Sequence, residues 1–298
     1  MKFGVYTVCM PEYDIEASIR LLAELGYDGI EFRVGKPAEE TPEGLATHDP
    51  SHKEYPSRYW GLNKSTLDVG NLLEETLRAK EICDEVGLEI YGLSGYTPAD
   101  NTEELGATFE AANAVGASFI RVSREAYNPD ARDRTYRTYS EAFDRLKEQL
   151  KTVEAMAREY NVKAVIELHH DSLVPSASAA RRALEGLDPE HIGVIFDPGN
   201  MVFEGYERYL NGLDLLGDYV AHVHVKNAAL EPGERDANGA MQYLRTQKPF
   251  PDGAVNFTGL FEDLRQFGYD GTICVEDFSN ESPTREKLEA NLAFLKKL

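Results

Sequence analysis

Glu167 in VIELHH, Asp197 in VIFDPGN, His224 in VHVKN and Glu276 in ICVEDF each stand at the polar end of a short apolar run. Any one of them alone reads as a solvated strand end. In a closed sheet of neighbouring strands, however, successive strand ends converge on one axis and alternate residues point inward. Three carboxylates and one imidazole gathered there repel one another unless protonated or bound to a cation. An oxygen-rich set with a single nitrogen suits Mn²⁺ first, with Mg²⁺ or Co²⁺ as alternatives; structural zinc prefers thiolates and imidazoles. His169 and Lys226 lie two residues beyond Glu167 and His224 and so face the same way. His169 would contact substrate or orient a ligand. Lys226 would hold a substrate oxygen, stabilise an enolate, or simply be solvated. His222, one layer deeper, reads as a core histidine, and His170 as structural. Arg121 in FIRV would pair with a carboxylate in the mouth or hold a substrate oxygen.

The elements that must position these residues recur along the chain as one unit: a helical stretch, a stop residue, then a β-rich run. It appears as LLAELGYDGIEFRV, EICDEVGLEIYGLS, AANAVGASFIRVS, MAREYNVKAVIELHH and DLRQFGYDGTICVEDF, with stops at Gly26, Gly87, Gly116, Asn161 and Gly268. Gly, and at small cost Asn, adopts the left-handed conformation that ends a helix. Adding KFGVYTV, IGVIFD and YVAHVHV predicts eight strands starting near residues 2, 29, 89, 118, 163, 192, 220 and 272. Each interval leaves room for a crossover helix, so one (β/α)₈ barrel over residues 1–298 is expected, of the α/β class. No G-x-G-x-x-G follows the first strand, which argues against an open dinucleotide-binding sheet. The intervals 36–66 and 227–257, after the second and seventh strands, are longer than a helix requires and read as loops over the site. The first carries His48, His52, Tyr59 and the single tryptophan, Trp60, which could close over a sugar.

Among the 298 residues, 31 Lys and Arg face 52 Asp and Glu, a net charge of −21. That surplus repels polyphosphate and anionic lipid, so nucleic acid and membrane surfaces are not expected partners. The N-terminus MKFGVYTVCMPEYD reads as a strand, not a signal peptide, and no apolar run approaches the ~20 residues of a membrane span. Cys9, Cys83 and Cys274 show no metal or redox spacing; buried thiols in a reducing cytoplasm are expected.

The stretches IEL, IFDPGN, HVHVKN and PDGAVNFTGLFEDLRQFGYDGTICVED resemble the xylose isomerase-like TIM-barrel superfamily, which includes the sugar phosphate isomerase/epimerase family. The similarity runs over nearly the whole chain. It implies a metal held by a Glu, an Asp, a His and a Glu ending strands five to eight, which fall on Glu167, Asp197, His224 and Glu276. It also implies a Gly-rich stretch, matched by Asp252-Gly253, a substrate-hydroxyl ligand at Glu31, and a substrate-binding arginine after strand seven, at Arg235 or Arg245. Two departures stand out. Asp197-Pro-Gly-Asn200 replaces the D-x-x-H of ketose 3-epimerases and endonuclease IV-type members, and His224-Val-Lys226-Asn227 replaces H-x-K-D. The first argues against a ketose 3-epimerase and against a multinuclear zinc nuclease.

The reading that follows is a divalent-metal-dependent sugar isomerase or epimerase acting on a small sugar or cyclitol, with Glu31, Trp60, His169, Lys226 and Arg235 around the substrate. The metal would stabilise the enediolate left when Glu167 or Glu276 removes an α proton. A dehydratase of the inosose or dehydroshikimate type and a non-catalytic sugar-binding barrel are the alternatives, and a homo-oligomer is compatible with each.

Overall fold

The computed structural model describes residues 1–42, 55–123 and 138–298. All five predicted stop residues take the left-handed conformation, from Asn161 at φ 54° to Gly268 at φ 87°. Each lets the chain leave its helix and enter a strand within four residues. Helix starts are set as locally: Asp14 accepts from Ala17 N at 2.8 Å before the helix Ile15–Leu25, which buries Ile19, Leu21 and Leu22. Each such side chain contributes about 1.5–3 kcal/mol when fully removed from water.

The strands are β1 (Lys2–Tyr6), β2 (Gly29–Gly35), β3 (Thr66–Asp68), β4 (Glu89–Ser94), β5 (Phe119–Arg121), β6 (Lys163–Glu167), β7 (Ile192–Phe196), β8 (Val220–Val225), β9 (Asn227–Arg235), β10 (Met241–Lys248) and β11 (Thr272–Val275). Eight of them pair in parallel in the order β1-β11-β8-β7-β6-β5-β4-β2, and a β1–β2 pairing closes the ring. The predicted (β/α)₈ barrel is therefore formed, and every predicted strand start falls within one residue of the observed one. The thiols of Cys9, Cys83 and Cys274 are free and buried, as expected. Among the described residues no helix is long and apolar enough to cross a membrane.

The barrel is stopped at its lower end by rings. A Cβ on Gly29 would lie 2.2 Å from the Tyr91 ring, one on Gly4 2.6 Å from it, and one on Gly92 2.3 Å from the Phe119 ring. Glycine is needed at these places because two aromatic side chains fill the space above them.

Both long intervals contain more structure than a loop. The first holds the short helix Tyr55–Trp60 and β3, which extends the sheet beside β2; its His48 and His52 lie outside the described residues. The second is the antiparallel hairpin β9–β10. Its turn is built on Asp236, whose Oδ1 accepts from Asn238 N and Ala240 N, both at 2.9 Å. Asn227 staples the hairpin's base: its Nδ2 donates to Phe250 O at 2.7 Å, and its Oδ1 accepts from Ala228 N and Val255 N at 2.9 Å. A Cβ on Gly253 would come within 2.1 Å of that Oδ1, which accounts for the glycine after Asp252.

Candidate active site

Four strand ends bring the predicted cluster together. Glu167 is the last residue of β6, His224 lies on β8, and Asp197 and Glu276 directly follow β7 and β11. Their ligand atoms all lie within 4.8 Å of one another, and all four residues are buried. His224 Nδ1 stands 3.5 Å from Glu167 Oε1, 3.7 Å from Glu276 Oε2 and 4.0 Å from Asp197 Oδ2.

Asp197 owes its placement to the DPGN sequence. It caps the short helix Pro198–Phe203 by accepting from Asn200 N at 2.9 Å, while Pro198 supplies the fixed φ suited to the first helical position. Its other oxygen is left to face the cluster. Gly199 permits this approach, because a Cβ there would lie 2.3 Å from Lys226 Cγ and 2.8 Å from Lys226 O. Asn200 ties the carboxylates together: its Nδ2 donates toward Glu167 Oε1 at 3.1 Å, Asp197 Oδ2 at 3.0 Å and Leu168 O at 3.0 Å. Replacing Asn200 with Ala is expected to cost about 1.5–3 kcal/mol, as for lost hydrogen bonds to charged groups. It should also weaken cation binding roughly tenfold. Urea unfolding and equilibrium dialysis would check the pair of effects.

The basic groups pair with carboxylates of the cluster. Lys226 donates to Asp197 Oδ2 at 2.8 Å and to Glu276 Oε2, and lies 3.7 Å from Glu167 Oε1. Arg121 Nη1 donates to Glu167 Oε2 at 2.8 Å, and its Nη2 reaches Tyr6 Oη and Gly95 O at 3.2 Å. Burial pushes Glu167 upward, but Arg121 and Lys226 outweigh it and hold the carboxyl well below the usual range. Burial also pushes Asp197 up; Lys226 opposes this, Glu167 and Glu276 reinforce it, and the carboxyl rises to about 7. Burial favours neutral Lys226 and neutral His224, yet the surrounding carboxylates raise both above their ordinary values. Three carboxyl groups thus share one buried cluster with a single ammonium and a single guanidinium.

The residues fit a divalent cation. His224 Nδ1 is buried and has no hydrogen-bond partner among the described residues. Donor atoms at about 2.1 Å from a common ion lie roughly 3–4 Å apart, the scale of the separations around His224.

Above the cluster opens a cavity of about 530 Å³. Glu167, Glu276, Lys226, Asn200 and Arg121 form one end of its lining. Trp60 lines another side, 43% exposed and with its ring 5.1 Å from that of Phe278. Arg33 fixes this loop from beneath, donating to Trp60 O and Thr66 Oγ1 at 2.6 Å. His169 lines the cavity as expected, but so does His170, contrary to its structural reading. Strand alternation ends at Glu167; beyond it the chain turns back, with His169 N donating to Val174 O at 3.1 Å and Asp171 at φ 56°.

Three other expectations are corrected. Glu31 is not at the mouth: β2 continues to Gly35, so Glu31 sits one storey below the cluster, fully buried, with Oε2 accepting from His224 Nε2 at 2.8 Å. Arg235 lies at the exposed far end of β9, where it donates to Gly239 O at 2.7 Å, and does not line the cavity. Tyr59 is buried against Phe278 (ring centroids 4.9 Å apart) and does not close over the opening. Arg245, also away from the lining, pairs with Asp171 at 3.2 Å and so ties β10 to the turn after β6. That hairpin contributes a residue the sequence did not single out, Gln247, which lines the cavity with a buried Oε1 that has no hydrogen-bond partner among the described residues. Its β-period was legible only once the interval is read as a hairpin around Asn238-Gly239.

Comparison with known proteins places this geometry. The chain is 29% identical over 227 residues to the inosose dehydratase of Bacillus licheniformis, covering 70% of this chain and 75% of that one. Six other proteins of that name are matched over 47–59% of their length, and that of Geobacillus kaustophilus, 24% identical, over 77%. The crystal structure of the 3-keto-D-glucoside 4-epimerase YcjR from E. coli, in its apo form, is similar with a TM-score of 0.70 at 19% identity over 100% of both chains. That of the IOLI protein with a binding zinc atom is similar with a TM-score of 0.64 at 14% identity, covering 99% of this chain and 97% of that one. These two likenesses show the fold. Residues 19–298 match the sequence profile of the xylose isomerase-like TIM barrel, and the chain belongs to that family.

Proposed function

We propose that the protein is a divalent-metal-dependent isomerase or epimerase of a sugar or cyclitol ketone. The observation that carries this reading is the buried Nδ1 of His224, without a hydrogen-bond partner among the described residues, converging with three carboxylates of which Glu167 and Glu276 line a cavity. Glu167, Asp197, His224 and Glu276 would hold the cation, with Mn²⁺ favoured by the oxygen-rich set and Mg²⁺ or Co²⁺ acceptable. When bound, it supplies Lewis acidity that eases proton loss beside a carbonyl.

The chain's own groups do the rest. Glu167, kept ionised by Arg121, takes the proton from the carbon next to the carbonyl. Glu276 comes from β11, with β7 and β8 lying between it and β6, and passes a proton drawn from solvent back to carbon from the other side. Return to the opposite face of the same carbon is epimerisation; return to the neighbouring carbon is isomerisation. Lys226 holds a substrate oxygen, and Trp60 with Phe278 offers an apolar face to the ring's C–H surface.

A second reading, loss of a β-hydroxyl as water, is favoured by the inosose dehydratase relatives and by His169 and His170, which stand in the cavity wall as potential acids for the leaving oxygen. Both readings share the first proton abstraction. Incubation of the Mn²⁺-loaded protein with ketoses and inososes in D₂O separates them. Carbon-bound deuterium without net water loss is expected. An enone chromophore would establish the dehydratase instead. No exchange with any ketone, with or without Mn²⁺, would overturn both and leave a binding barrel.

A further inference from the structure

His224 has two ring nitrogens and each faces a different storey of the barrel. Nδ1 looks up at the three carboxylates, while Nε2 donates downward to Glu31 Oε2 at 2.8 Å. Glu31 is 0% exposed, and its Oε1 accepts from Ser94 Oγ, so its orientation is set by a second element, β4. His222 Nε2 is 3.3 Å from the same Glu31 oxygen, a longer contact than that of His224, and its Nδ1 is engaged by Thr272 Oγ1 at 2.7 Å. The shorter of the two imidazole contacts to this oxygen is that of His224. The ring is also held from its face, lying stacked on Tyr6 with centroids 5.6 Å apart and an interplanar angle of 20°. Tyr6 in turn is pinned by its hydroxyl to Ser94 O at 3.2 Å.

A buried carboxylate is expensive to desolvate, and Glu31 does not line the cavity. An imidazole that gives its Nε2–H to a carboxylate keeps its lone pair on Nδ1, the form a metal ligand needs. We propose that Glu31 is the positioning residue of the cation site. Through its hydrogen bond to Nε2 it fixes the ring and tautomer of His224 so that Nδ1 is presented to the ion. The inference rests on the proposal that Glu167, Asp197, His224 and Glu276 hold a divalent cation.

The test measures cation affinity rather than turnover. Mn²⁺ binding to the wild type, Glu31→Gln and Ser94→Ala would be followed by calorimetry, and the Co²⁺-loaded forms by their visible absorption. In Glu31→Gln the amide competes to donate to Nε2, so affinity should fall about 10- to 100-fold, with a changed Co²⁺ spectrum. In Ser94→Ala, which leaves every charge in place, a smaller loss with the same direction of spectral change is expected. A folded Glu31→Gln with affinity within twofold of wild type and an unaltered Co²⁺ spectrum overturns the proposal. If Glu31→Gln does not fold, Ser94→Ala decides by the same two readouts. A wild-type protein that binds no divalent cation would instead sink the site reading on which the inference rests.

Discussion

Glu167→Gln at saturating Mn²⁺ is expected to slow deuterium exchange at the substrate α carbon by about 10²–10⁴-fold, the contribution typical of a positioned general base. The amide keeps the shape of the side chain and one oxygen for a cation, but it cannot accept a proton. It also leaves Arg121 without its carboxylate. That guanidinium is still satisfied by Gly95 O and Tyr6 Oη at 3.2 Å, and its carbon lies 4.9 Å from the centre of the Tyr96 ring, so the fold should survive. Metal content measured beside the rate separates loss of the base from loss of the ion. Retention of more than a tenth of the wild-type rate, with the ion bound, would remove Glu167 from the mechanism.

The second large effect concerns a residue whose importance is greatest when no ion is present. Lys226→Met in metal-free protein is expected to cost about 3–5 kcal/mol of stability, because it strips the ammonium from carboxylates that remain buried. Asp197 loses a partner at 2.8 Å and Glu276 loses its direct contact. Divalent cation supplied at a hundred times its Kd should return about 2.7 kcal/mol; with the competing ammonium gone the variant should bind the cation more tightly, and so gain more than the wild type at one fixed concentration. Denaturant unfolding in EDTA and again in Mn²⁺ reads both numbers. Equal midpoints for variant and wild type in EDTA would show that the ammonium contributes nothing there.

The fold was legible because its signals are local. A glycine or asparagine that must turn left-handed and a run of β-branched residues after it say where each unit ends and the next begins, without knowledge of the rest. The converging carboxylates were legible for a related reason: strand ends in a closed ring point at one another whatever the loops do. Glu31 was misplaced because its strand was cut too short. A substrate ligand at Glu31 requires a strand that ends at the acid, whereas β2 runs four residues further to Gly35, and its pairing with β4 shifts register between Ile30 and Glu31. A single residue's depth inside a barrel depends on such shifts, which no local pattern announces. Arg235 failed for a tertiary reason, since a nine-residue strand carried it away from the mouth that its sequence neighbour Asn227 adjoins. Asn227 itself, where relatives' pattern has an aspartate, is explained by the three backbone groups it binds at the hairpin's base.

The aromatic stopper at the foot of the barrel has a bearing on redesign. Tyr91 and Phe119 occupy the room released by Gly4, Gly29 and Gly92, and the Phe119 ring lies 4.8 Å from His222. Those glycines are remote from any substrate, yet enlarging one displaces a ring, then an imidazole, and so the tier on which His224 rests. An engineer seeking new specificity has free choice around Trp60 and Gln247 and almost none at the glycines below. A saturation library would find the barrel's least forgiving positions at the end where no chemistry happens.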